Sequence, residues 1–385
     1  MKKISLIALL AICQLVSAQE IVNQVLILNE GKFGQNELPV TLGSYDPATQ
    51  HYEVVATIEE ARFASDMVIN GDNIFIMADS LLLKYDLNSF EVLSTQTVVG
   101  GRNIAVVDDK LFISRGEYGV DFSSYLQVFS KSDLEFIAEL DTVSGPKGTT
   151  QNMVVHDGKL FVAINNGFNF GQEKSLIGVV DISTMNYLEE IDLGPDGTNP
   201  DNMVIDGDYI YTVNNKNWSG ASISKVDLNS YSVNTINLSN VSTGCGTSCL
   251  RGDKVNFQLL QDSVLYEYDP ETFNGLSTSL SVNGNFYELA FDSLNNLLYA
   301  SLTDYQTYGK IEIYDANNTL ISEFDCGVSP GTIAFDIRNS SSINDFQTEI
   351  GKKNALFDLH GKPLKSIESE SRGVYIQSGK KVVKF

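Results

Sequence analysis

"MVIDGDYIYTVNN" (203–215) decides the fold of this chain, because the chain repeats it. "MVVHDGKLFVAINN" stands at 153–166, "MVINGDNIFIM" at 67–77 and "IAVVDDKLFIS" at 104–114. Weaker copies are "CLRGDKVNFQL" (249–259) and "LAFDSLNNLLYAS" (289–301). Each copy is an alternating apolar run, a tight turn rich in Asp, Asn or Gly, and a second alternating run. Tyr209, Tyr211 and Val213 interleave with Ile210 and Thr212, a two-residue period that means strand, not helix.

A second pattern lies between the copies: a strand that closes on an Asp turn. It reads "GSYDPAT" (43–49), "LKYDLNS" (83–89), "QVFSKSD" (127–133), "GVVDIST" (178–184), "SKVDLNS" (224–230), "YEYDPET" (266–272) and "EIYDANN" (311–317). These seven marks stand 40 to 51 residues apart, which leaves room for four short strands per period. Such a period marks a β-propeller, whose four-stranded blades bury their faces only against one another. The chain opens on a second-strand sequence, "NQVLILNEGKFG" (23–34), and the missing first strand appears at the far end as "SPGTIAFDI" (329–337). The fold expected is therefore all-β: a seven-bladed propeller over residues 19–338, its first blade completed from both ends.

Composition narrows the function. The 385 residues carry 26 Lys and Arg against 49 Asp and Glu, a net charge of −23 that repels a phosphate backbone and argues against nucleic acid as partner. Residues 1–18 read as a signal peptide: Lys2 and Lys3, an apolar stretch from Ile4 to Ile12, and a small-residue cleavage site at Val16-Ser17-Ala18. The apolar stretch is too short to span a bilayer, and no later segment is long enough. Leu10-Ala11-Ile12-Cys13 invites a lipidation reading, although Ile12 stands where a small residue belongs. In an oxidising compartment Cys245 and Cys249 could close a small disulfide ring; the third thiol of the mature chain, Cys326, leaves the pairing open.

Composition changes after a linker at 339–350. Residues 351–385 hold eight basic and three acidic residues, a surplus of +5. They read as two hairpins, "NALFDL" with "KPLKSI" and "GVYIQ" with "KVVKF".

Two resemblances follow from these stretches. "IYTVNN" and "LFVAINN" resemble the repeats of YVTN or YncE-like seven-bladed propellers, and "FDLHGKPLK" with "GVYIQSGKKVVKF" resembles the C-terminal sorting domain of type IX secretion cargo in Bacteroidetes. Among exported propellers of this look are surface proteins that capture cobamides beside a TonB-dependent transporter. The resemblance implies an exported chain, at the outer-membrane surface or outside the cell, with a corrinoid as first candidate ligand.

The residues also show where a ligand would bind. In a propeller, the loops between second and third strands share a face with the loops between blades. The opposite face here has only tight turns. The first face has long loops with Phe33, Tyr118, Phe122, Phe168, Phe170, Trp218, Tyr305 and Tyr308, and its inter-blade loops add Arg62, Phe63, Arg102, Asn103, Asn152, Asn202 and Tyr287. Rings supply rigid contact area, and Asn and Arg supply orientation, as in a binding surface.

Signals for chemistry are weaker. Gly327-Val-Ser329-Pro-Gly331 satisfies G-x-S-x-G, but a strand follows where a nucleophile elbow needs a helix. Arg251-Gly252-Asp253 occupies a hairpin-turn slot. Asp192, Asp196 and Asp201 could meet calcium, without the spacing of an EF-hand loop. His51, His156 and His360 are too scattered for a metal cluster or a triad. The expectation is a binding protein, monomeric outside a complex, with no catalytic residue, no metal and no resident cofactor, whose small-molecule ligand passes to a TonB-dependent transporter. The alternatives are a protein-interaction or scaffold propeller and a lyase-like or hydrolytic one.

Overall fold

A computed structural model describes residues 19–33, 37–216, 220–238, 247–259, 263–269 and 277–340, and four short strands between 356 and 384. Residues 1–18, read above as a signal peptide, together with Trp218 and Cys245, lie outside the described residues. The chain divides into a unit spanning Asn23–Asp336 and a second that includes Ile337–Phe385.

The larger unit is a seven-bladed propeller of four-stranded antiparallel sheets. Ala64–Asn70, Gly101–Val107, Thr150–His156, Pro200–Asp206, Ser248–Arg251 and Phe286–Asp292 are the innermost strands of blades 2 to 7 and meet their neighbours around the axis. Each is the first half of a hairpin read from the sequence; Ile205 pairs with Ile210 and Ile69 with Ile74 across the turns. Blade 1 has the order Pro330–Ser340, Gln19–Asn29, Val40–Asp46, His51–Ile58, so the last propeller strand pairs with the first.

Alternation sends one face of each blade into the seam with the next. Leu26, Leu42, Met67, Ile74, Ile76 and Tyr85 fill the seam between blades 1 and 2; Phe161, Ile177, Met203, Ile210 and Val226 fill that between blades 4 and 5. At the closing seam Tyr45 stacks on Phe324 with centroids 4.2 Å apart, and Tyr299 meets Phe335 edge-on at 5.3 Å. Asn23 and Gln24 each donate to the buried Asp336 carboxylate at 3.0 Å, which ties the two ends of the propeller together.

The Asp marks are turn devices. Asp86 and Asp227 each accept the backbone N–H groups two and three residues on, at 2.8 to 2.9 Å. Hydrogen bonds from the Ser183 hydroxyl and the Thr184 amide pull the Asp181 carboxyl down to about 2. Local hydrogen bonding therefore explains these aspartates.

In the smaller unit, strands Leu356–Phe357, Pro363–Leu364, Gly373–Gln377 and Lys380–Lys384 form one antiparallel sheet. Leu356 pairs with Leu364, and Tyr375 with Val382, matching the two hairpins read from the sequence.

Candidate binding site at the channel mouth

The site begins with a repeated irregularity. In five blades the ladder between the innermost strand and its neighbour slips near its start: between Ala64 and Asp66, Gly101 and Ile104, Thr150 and Met153, Pro200 and Asn202, and Phe286 and Leu289. A bulge sets an extra residue against its partner strand and re-aims the side chains beside it. The first residue inside each slip, Ser65, Arg102, Gln151, Asp201 and Tyr287, lines the channel. Asn103, Asn202, Thr247, Glu288 and Glu30 complete a polar channel of about 290 Å³.

Its electrostatics are unusual. Glu30, Asp201 and Glu288 line the channel, and Asp66 lies behind, accepting the amides of Met67 at 2.8 Å and Ile104 at 2.7 Å. Burial raises Glu288 to about 8, with the Asp66 and Glu30 charges adding to it and a bond from the Thr247 hydroxyl opposing. Glu30 rises to about 7, again through burial, although the Tyr287 hydroxyl donates to it at 2.9 Å. Burial lifts Asp66 and Asp201 to about 6. Arg102 opposes the rise at Glu30, Asp66 and Asp201. Its guanidinium sits 5.0 Å from the Phe168 ring centroid.

Above the channel lies a wider vestibule of about 690 Å³, sharing Glu30, Arg102 and Phe168 with it. Its walls are Phe33, Phe63, Tyr118, Phe168 and Tyr305, with Arg62 and Glu117 at the edge. The Arg62 guanidinium lies 5.8 Å from both the Phe33 and Phe63 centroids and is fixed by Asp79 at 2.5 and 2.7 Å. Tyr305 meets Tyr287 edge-on at 5.3 Å, linking vestibule to channel. Long second-to-third-strand loops and inter-blade loops thus converge on one cavity, as their shared face requires.

Of the residues expected at the rim, Phe33, Arg62, Phe63, Tyr118, Phe168 and Tyr305 line the vestibule, and Arg102, Asn103, Asn202 and Tyr287 the channel. Four go elsewhere. Phe122 lies over the Arg115 guanidinium at 4.1 Å, where that group donates to the carbonyls of Val99 and Ser124, so the ring clamps its own loop. Phe170 pairs with Tyr118 at 5.8 Å on the far side of the loop, in a separate recess of about 360 Å³. Tyr308 lines a recess beside Tyr52, Val54 and Val328 at the outer part of the closing seam, because it begins a third strand and not the loop before it. Asn152 is half-buried and lines neither vestibule nor channel. Cys249, which could have joined Cys245 in a ring, carries a free buried thiol that burial pushes up to about 12; it packs with Leu265 and Leu289, facing the core. Cys326 is also free and buried.

Sequence reasoning missed Glu30, Asp66 and Glu288, and took Asp201 only as a calcium candidate. Their signal was present: Asp66, Asp201 and Glu288 stand one or two residues before Met67, Met203 and Leu289, where each innermost strand turns apolar. The weaker motifs resolve as structure. Ser329 has φ 53°, but Gly100 and Asn199 adopt the same left-handed turn immediately before the innermost strands of blades 3 and 5. Its hydroxyl lies 3.4 Å from that of Thr303, with no base bonded to it among the described residues. Arg251 donates to the Asn318 side chain and the Asp315 carbonyl at 2.6 and 2.8 Å, so the tripeptide is engaged within the ring. Asp192 caps Gly194, Asp196 pairs with Lys216 at 2.8 Å, and Asp201 faces the channel, so the three do not converge.

The sequence matches no protein-family model and no curated protein. The fold has counterparts among solved structures. A 6-phosphogluconolactonase-like protein of Bacteroides fragilis aligns at TM-score 0.60 and 12% identity, over 82% of this chain and 98% of its own. A protein of the same description from Bacteroides uniformis aligns at 0.61 and 12%, over 82% and 100%. The extracellular domain of a one-component-system-like protein of Bacteroides thetaiotaomicron aligns at 0.54 and 15%, over 94% and 56%. Similarity at this level shows the fold: a seven-bladed propeller, here with a funnel that is aromatic above and acidic below. Among the described residues no helix is long and apolar enough to cross a membrane.

Proposed function

We propose that this protein is an exported propeller that binds a small molecule in the funnel without turning it over, and passes it to a TonB-dependent outer-membrane transporter. The observation that carries this reading is the vestibule itself: five aromatic walls around a space of about 690 Å³, with Arg62, Arg102 and Glu30 placed to orient a guest. Pockets of this size and lining are typical of small-molecule sites. The leader-like first 18 residues support export. A corrinoid is the first candidate. Its macrocycle would lie across the vestibule on the rings, with its amide arms toward the Asn and Gln side chains below.

Titration of the purified chain with cobinamide or cyanocobalamin, followed by calorimetry and the visible spectrum, tests this. Saturable heat with a spectral shift is expected. Phe168→Ala removes a wall shared by vestibule and channel and is expected to weaken binding about tenfold. No heat and no shift with either corrinoid overturns that ligand.

One observation favours a second reading. Tyr118 and Phe170 are 70% and 65% exposed and pair with each other, a platform suited to gripping a polypeptide. Retention of a scaffold component by the chain, lost in a Tyr118→Ala and Phe170→Ala double variant, would favour that reading.

A further inference from the structure

We infer that the channel beneath the vestibule is a subsite for an organic ammonium group, drawn in by the carboxylates of Glu30, Asp201 and Glu288 around its wall. It rests on the reading of the funnel as a small-molecule site, not on the corrinoid. The three carboxylates come from blades 1, 5 and 7 and line one channel of about 290 Å³. Among the described lining residues Arg102 is the one cation set against them, and Asp66 adds a fourth acid from behind. Carboxylates gathered in a low-dielectric space favour a cationic guest.

A second observation points to a guest that brings hydrogen-bond donors. Asn199 lines the same channel, is only 6% exposed, and its Oδ1 has no hydrogen-bond partner among the described residues. The half-buried Asp201 carboxylate lines the same channel, raised by burial and opposed by the Arg102 charge. Buried acceptors left without donors are costly and normally belong to a site whose partner is a ligand or water. An alkylammonium offers donors only.

The cation that suits is organic, not a metal ion. Among the described residues no three carboxylate, His or Cys side chains come close enough together to hold a metal. The acids are spread around the wall and must be reached singly, as an N–H group on a carbon chain can do. The vestibule supplies the rest, since Phe168 and the neighbouring rings would cover the apolar part of such a guest.

Proton linkage follows from the same geometry. The groups facing the channel are Glu30, Asp201, Glu288, Tyr287 and Arg102, with Asp66 behind. An ammonium ion binds their ionised forms, so binding releases protons, and affinity rises with pH through the range of the raised carboxyls, about 6 to about 8.

The experiment is calorimetry on the full chain with three probes of one shape: 2-phenylethylamine, 2-phenylethanol and 3-phenylpropionate. The amine should bind saturably, the alcohol about tenfold more weakly, and the anion not at all. Asp201→Asn and Glu288→Gln, checked for an unchanged unfolding midpoint, should each weaken the amine about tenfold and leave the alcohol unaffected. Amine affinity should rise from about pH 5.5 to about pH 8. Equal binding of the three probes, no saturable binding of the amine, or an amine affinity that ignores pH overturns the inference. If a variant misfolds, the wild-type probe series and pH series still decide it. Corrinoid binding without amine binding sinks this inference alone. Amine binding without corrinoid binding sinks only the corrinoid, and neither binding sinks both.

Discussion

At the scale of the residue, the funnel depends on close approaches between backbone and side chain. Gly331 opens the innermost strand of blade 1, and a Cβ there would collide with the Glu30 Oε1. Glu30 itself lines both cavities and accepts from Tyr287. Gly331→Ala should therefore destabilise the protein by about 1–3 kcal/mol, as overpacking does. The double variant with Glu30→Ala should recover most of that loss in urea unfolding, and its failure to do so would break the assigned contact. Neither role was legible in the sequence, where Gly331 looked like the last letter of a G-x-S-x-G match and Glu30 was one residue of "NQVLILNEGKFG". The Asn-Asn pairs that end the repeated stretches are part of the scaffold. Asn214 donates to Ser222 and Ser224 at 2.9 and 2.8 Å, and Asn166 donates to the Gln172 carbonyl at 2.8 Å. Thus they brace the long loops from inside, and the individuality of each blade starts only beyond them.

At the scale of the element, closure of the ring is the vulnerable step. Blade 1 takes its innermost strand from the far end of the propeller, so its packing must hold against the entropy of a very long loop. Tyr45, 2% exposed and stacked on Phe324, sits at that seam. Tyr45→Ala should cost about 3–5 kcal/mol, measured by urea unfolding, because a buried ring and its stacking on Phe324 are lost. A loss well below this range would mean that the strand pairing alone secures the closure. The strands, the hairpins and this closure were all readable from sequence, since period-two alternation and turn residues are local signals. The five bulges were not. A bulge is a mismatch between two strands, and a single strand shows no sign of how its neighbour is counted.

At the scale of the whole molecule, the half-buried channel acids set how stability responds to pH. Four carboxyls, Glu30, Asp66, Asp201 and Glu288, titrate higher in the folded chain than an ordinary carboxylate does. Between their unfolded values near 4 and their folded values of about 6 to about 8, the unfolded chain is the more ionised, so stability falls as pH rises through that window. The turn aspartates shift the other way and matter only in acid, below that window. The unfolding midpoint should therefore drop from about pH 5 to about pH 8, and Glu288→Gln should flatten the slope. A midpoint independent of pH over that range would show that the channel acids are solvated as in water. The sequence by itself determined the seven blades, their hairpins and the face that carries the long loops, because alternation, turn chemistry and loop length are properties of neighbours along the chain. Only the tertiary structure decided which of the loop aromatics share a cavity and which brace their own loop. It alone brought Glu30, Asp201 and Glu288, more than 250 residues apart at the extremes, into one channel. The reason is physical: the burial that raises those acids, and the repulsion from Glu30 and Asp66 that raises Glu288 further, arise between strands that meet only when the ring closes.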